Sequence, residues 1–147
     1  MKNYVLLLLL AMSIFSCTMK DENQTLDKET SIKLLTAHKW HGVSVTQFIN
    51  DREQGGYYNT NEVVRFDTER NFVKTVNGST VIDGSWNWMN NPDATSVLVQ
   101  YPSASGNNQN VTNELIINIL TNDYLEYSIY STDGNSHTIR SDYFYKK

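Results

Sequence analysis

Thr80-Val81-Ile82-Asp83-Gly84-Ser85-Trp86-Asn87-Trp88-Met89 is the stretch whose reading decides the fold. Ile82, Gly84, Trp86 and Trp88 fall on one face of an extended chain, and Asp83, Ser85 and Asn87 fall on the other. Side chains along a strand alternate between its two faces, so this is a half-buried strand. Turn chemistry brackets it. Asn77-Gly78 is a strong two-residue hairpin signal, and Asn90-Asn91-Pro92-Asp93 is a loop.

The same grammar runs outward in both directions. Residues 62–67 and 72–76 read as two short strands around the turn Asp67-Thr68-Glu69-Arg70-Asn71. Residues 97–101, 115–120, 124–131 and 137–145 read as further strands, with turns at Thr121-Asn122-Asp123 and Asp133-Gly134. Residues 40–49 open the β region, and Gly42 marks a bulge there. Residues 50–59, with Gly55-Gly56 and Tyr57-Tyr58, read as a loop, as do the polar residues 102–112. The count is about eight strands at the spacing of a sandwich or barrel. No crossover helix separates them, so neighbours are antiparallel. Eight such strands close most simply as an up-and-down barrel, which leaves no free edge.

Ahead of the strands, Thr30 or Ser31 can cap a short helix running to Ala37, with Ile32, Leu34 and Leu35 as its apolar stripe. It is too short to stand alone. A plug over one end of the barrel is its natural place.

The N-terminal residues follow a different logic. Lys2 precedes an apolar run from Val5 to Ile14, and Cys17, the one cysteine of 147 residues, closes it. The run has the length of a secretory signal core and stops well short of the roughly 20 apolar residues a membrane span requires. Ile14-Phe15-Ser16-Cys17 resembles the lipobox of bacterial lipoproteins. That resemblance implies cleavage before Cys17, a diacylglycerol on its thiol and further acyl chains such as palmitate. Two or more chains anchor a protein firmly. Phe15 departs from the Ser or Ala common at its position. Lys20-Asp21-Glu22 resembles the export tag that sends Bacteroidetes lipoproteins to the outer face of the outer membrane, and it also fits a solvated tether. The expected organisation is a signal peptide over 1–16, a lipidated tether over 17–29 and a barrel over 30–147.

Composition bounds the remaining possibilities. The net charge is −4, so the chain lacks the basic footprint of a nucleic-acid binder. One cysteine excludes an intramolecular disulfide. Aromatic residues make up 12% of the chain, enough apolar area for a small core to fold without cross-links.

Several local patterns together resemble the lipocalin-like lipoprotein domains of Bacteroidetes. They are Leu34-Leu35-Thr36-Ala37-His38-Lys39-Trp40, Val63-Val64-Arg65-Phe66-Asp67 leading to Phe72, Gly84-Ser85-Trp86, and Ile117-Asn118-Ile119-Leu120-Thr121-Asn122-Asp123-Tyr124-Leu125. Ala37 and Asn71 stand where that family usually has glycine. The resemblance implies the barrel and leaves the activity open.

Candidate chemistry is sparse. His38 and His41 put two imidazoles three residues apart, but the helix-to-strand junction separates them and no third ligand is near in sequence. His137 precedes a strand with no evident partner. No nucleophile elbow is present, and no metal, cofactor or catalytic set is expected. Trp40, Trp86, Trp88 and Tyr127 are the candidate ligand-binding set. If they face the interior, they either line a pocket for a small apolar molecule or fill the core, since an eight-stranded barrel allows both. Tyr57 and Tyr58 offer either a surface for a glycan or protein, or ordinary packing under a loop. The expected function is that of a lipid-anchored, non-enzymatic envelope binding protein. Its alternatives are an accessory subunit of an outer-membrane complex and, third, a hydrolase.

Overall fold

The structure, a computed structural model, describes residues 27–58, 60–90, 95–103 and 109–147. Cys17, Lys20, Asp21 and Glu22 lie outside the described residues. One helix, α1 (Lys28–Thr36), precedes nine strand segments. These are β1 (Lys39–Ile49), β2 (Arg52–Tyr58), β3 (Glu62–Phe66), β4 (Asn71–Val76), β5 (Ser79–Asn90), β6 (Thr95–Pro102), β7 (Asn110–Leu120), β8 (Tyr124–Thr132) and β9 (Thr138–Lys146).

Every neighbouring pair is antiparallel, and β1 closes the sheet by pairing with β9 from His41 to Ile49. The other edge of β1 is shared. Lys39 to His41 pair with β3, and Ser44 to Ile49 pair with β2. β2 and β3 are thus two halves of one broken strand, and the closed barrel has eight strands, as the alternation predicts. The break faces Gly42, where the register of β1 against β9 shifts by one residue. A Cβ on Gly42 would collide with the Thr60 hydroxyl and stand 3.2 Å from Glu62 Cβ, so a larger residue there would have to displace the Thr60 side chain.

Several local expectations need correction. The helix begins at Lys28, ahead of Thr30 and Ser31. Its cap is Asp27 rather than Thr30 or Ser31, accepting hydrogen bonds from Thr30 N (3.0 Å) and Thr30 Oγ1 (2.6 Å). A carboxylate satisfies two donors at once, which a hydroxyl cap does less well. Residues 50–59 are mostly strand. Asn50 and Asp51, at φ 48° and 61°, make a two-residue turn into β2. Asn and Asp tolerate the left-handed region, so this pair substitutes for Asn-Gly. β7 likewise starts at Asn110, inside the expected loop. In the β3–β4 hairpin the left-handed residue is Arg70 (φ 72°), not Asn71. Asn71 instead donates its backbone N and side-chain Nδ2 to the Asp67 carboxylate, at 2.8 and 2.9 Å. The Arg70 guanidinium lies 4.5 Å over the Trp86 ring, which helps hold this strained position.

The core gathers at the helix end. Leu35, Trp40, Val64, Phe66, Phe72, Trp86, Val97, Leu115, Leu120 and Leu125 form one buried cluster. α1 supplies Leu35, so the helix closes this end of the barrel.

Candidate functional site

Trp40 and Trp86 are completely buried in that cluster. Trp40 Nε1 donates to Leu35 O at 3.0 Å, and Trp86 Nε1 donates to Asp67 O at 3.0 Å. Each indole therefore fills space and ties the barrel wall to α1 or to a turn. Trp88 packs against the same cluster, partly exposed. Tyr127 is the member of the expected set that sits elsewhere in character, because its hydroxyl belongs to a polar network.

That network adjoins the apolar cluster, in which the rings of Tyr127 and Tyr145 are themselves buried. Alternation puts Glu62 on the same face of β3 as Val64 and Phe66, and Lys74 on the same face of β4 as Phe72. Both charges therefore point inward. Lys74 Nζ meets Glu62 Oε1 at 2.8 Å. Tyr145 Oη donates to Glu62 Oε2 at 3.0 Å. A tyrosine has one hydroxyl proton, so the 3.0 Å contact between Tyr127 Oη and Tyr145 Oη has Tyr127 as donor. The Tyr127 ring stacks on those of Tyr143 and Tyr145, at 5.0 and 5.6 Å between centroids. Lys74 Nζ lies 5.2 Å from the centre of the Tyr143 ring. Nearby on β6 and β7, Asn113 Nδ2 donates to Tyr101 Oη at 2.9 Å.

Burial pushes the phenol groups of Tyr127, Tyr143 and Tyr145 above their usual range, and the Glu62 charge adds to the effect in all three. The phenols remain protonated donors, while Glu62 and Lys74 neutralise each other.

The network opens at the barrel end opposite α1. A cleft of about 470 Å³ lies there, lined by Val45, Gln47, Tyr57, Tyr58, Thr60, Glu62 and Tyr143. Tyr57 and Tyr58 are 69% and 80% exposed, so β2 does not pack them beneath a loop. The Thr60 hydroxyl is buried and has no hydrogen-bond partner.

Other candidates lie apart. His38 Nε2 contacts Asn122 Oδ1 at 3.3 Å, and His41 is exposed on β1. Among the described residues no group of three or more His, Cys, Asp or Glu could hold a metal. His137 does have a partner, the Asp133 carboxylate, 2.9 Å from Nδ1 in the β8–β9 turn.

Glu62, Lys74, Tyr143 and Tyr145 were not among the expected site residues. Their signal was present. A charged residue on the apolar face of each of two adjacent short strands, with opposite signs, marks an inward ion pair.

No protein-family model matches the chain, and no curated protein is significantly similar to it.

Proposed function

We propose that this chain is a lipid-anchored, non-enzymatic binding protein of the bacterial envelope, of the lipocalin-like lipoprotein type, and that its ligand enters the cleft at the barrel mouth. The observation that carries the reading is the change in the interior from apolar to polar lining along one continuous core. One end is packed with Trp40, Phe66, Phe72 and Trp86 beneath α1. The other is walled by tyrosines and a neutralised ion pair, and leads into the 470 Å³ cleft. Pockets of this size, with a few convergent polar groups, are where small ligands bind. The lipobox at Cys17 lies on the α1 side of the domain in the chain. An anchor there holds the closed end toward the bilayer and presents the mouth outward. Lys20-Asp21-Glu22 then directs the protein to the outer membrane, at the cell surface.

The test is a titration of the purified full chain in detergent with a fatty acid, an oligosaccharide series and a peptide series. The readout is the NMR signals of Gln47, Thr60 and Tyr143. The reading expects at least one probe to move them, and a site silent to every probe overturns it.

A second reading, an accessory subunit of an outer-membrane complex, draws on β2. All seven of its residues are exposed, and among the described residues it pairs along one edge only. An open edge is a template for strand addition. Stable co-purification with a membrane partner from detergent extracts supports this reading, and a solitary monomer counts against it.

A further inference from the structure

Three features of the cleft narrow the ligand's chemistry, provided that the mouth is the binding site as proposed above. The first is charge. Glu62 is the carboxylate in the cleft, and Lys74 and Tyr145 already occupy its two oxygens, at 2.8 and 3.0 Å. The lining residues include no cation. A carboxylate or phosphate ligand would meet the negative end of a satisfied pair and lose its hydration without compensation. An ammonium would compete with Lys74 for a partner that is already bound. The cleft suits a neutral molecule.

The second is the hydrogen-bonding inventory. The Thr60 hydroxyl is buried against Gly42 and is not offered to the cleft. The Gln47 side chain is exposed, and its amide can both donate and accept. Glu62 keeps spare acceptor lone pairs on both oxygens. Groups that give and take at once match hydroxyls, which do the same.

The third is the aromatic surface. Tyr57 stands exposed near the end of β2 opposite Val45, and Tyr58 follows it on the other face of the strand. Gly56 lets this part of β2 lie close against β1, since a Cβ there would come within 2.7 Å of Val45 O. An exposed phenol ring has a flat apolar face and a polar tip. Sugar rings carry the complement, a face of C–H groups rimmed by hydroxyls.

We propose that the cleft binds a neutral oligosaccharide, with the Tyr57 ring as its stacking face and Gln47 and Glu62 as partners for its hydroxyls. Tyr143 forms the floor, and the Glu62–Lys74 pair fixes the carboxylate's orientation.

The experiment titrates the full chain with maltoheptaose, xylohexaose and mannohexaose, with an oligogalacturonate of similar length as the charged counterpart. Calorimetry gives affinities, and NMR locates binding. At least one neutral probe binds at the cleft. Tyr57→Ala and Gln47→Ala each weaken it by about tenfold or more, a change calorimetry resolves easily. Both side chains are exposed, so neither variant opens the core. Tighter binding of the oligogalacturonate overturns the proposal, as does affinity unmoved by both variants, or no binding of any neutral probe. If a fatty acid or peptide shifts Gln47 and Thr60 while the sugars do not, the saccharide assignment fails and binding at the mouth stands. If no probe of any class shifts them, both fail.

Discussion

Lys74 Nζ stands 2.8 Å from Glu62 Oε1 on neighbouring strands, and both side chains point into the barrel. The register pairs Val64 with Lys74 and Glu62 with Val76, so the two charges are diagonal neighbours on one face. Their side chains are 16% and 15% exposed, which makes this the most buried ion pair among the described residues. Tyr145, Tyr127 and Tyr143 build on it in sequence. The polar half of the interior therefore depends on two residues that simple core composition would exclude.

Removing one partner should be worse than removing both. Lys74→Met leaves the Glu62 carboxylate facing Tyr145 without its counter-charge. The expected loss is about 3 kcal/mol, the low end for a buried pair because residual solvent contact screens it. Adding Glu62→Gln should restore most of that loss. Urea denaturation of the four proteins of the cycle measures the coupling, and additive losses would show that the pair is electrostatically idle.

Gly84 sits where β5 passes from pairing with β4 to pairing with β6. A Cβ there would run into the Gln100 carbonyl and lie 2.8 Å from Tyr101 Cβ. The obstacle is backbone of the next strand, which cannot rotate away. Gly84→Ala should destabilise the protein by about 1–3 kcal/mol, the range for overpacking. Gly134→Ala meets open space and should change stability by less than about 1 kcal/mol. Equal midpoints for the two variants would contradict this account.

Alkaline pH should reach the buried tyrosines late. Burial raises Tyr127, Tyr143 and Tyr145 above the ordinary phenol value of 10.0. In the unfolded chain they release protons near that value, while in the folded chain they keep them. Their contribution to stability is thus flat below pH 10 and falls as pH rises above it. Ultraviolet titration should show Tyr127, Tyr143 and Tyr145 ionising only as the protein unfolds. Their ionisation in the native state near the ordinary phenol value would remove the buried network.

Cys17→Ser should abolish acyl labelling and partitioning into the detergent phase. The barrel should be unaffected, because it can be built from Asp27 onward without Cys17. A mutant that still incorporates labelled lipid would show that another residue carries the anchor.

Much of the fold was legible because its signals are local. Ile82, Gly84, Trp86 and Trp88 share a face in the sequence and in β5. Asn77 and Gly78, at φ 50° and 79°, form the expected turn. β2 was missed because Asn50-Asp51 is a less familiar turn pair than Asn-Gly, and because Arg52-Glu53-Gln54-Gly55-Gly56 has no apolar alternation. Nothing on β2 is buried, so burial left no pattern to read. The candidate site was legible only in part. Tyr127 faces inward as its period requires, and Trp40 and Trp86, which drew attention by size, lie completely buried.

The sequence by itself determined an all-β chain with a short leading helix, because side-chain period and turn chemistry act over a few residues. The tertiary structure decided how the barrel closes, with β1 meeting β9 along one edge and a broken strand along the other. It also decided which end is packed and which is open. Those outcomes depend on partners far apart in the chain, such as Glu62 with Tyr145. No local pattern encodes that distance; only closure of the sheet brings the two groups together.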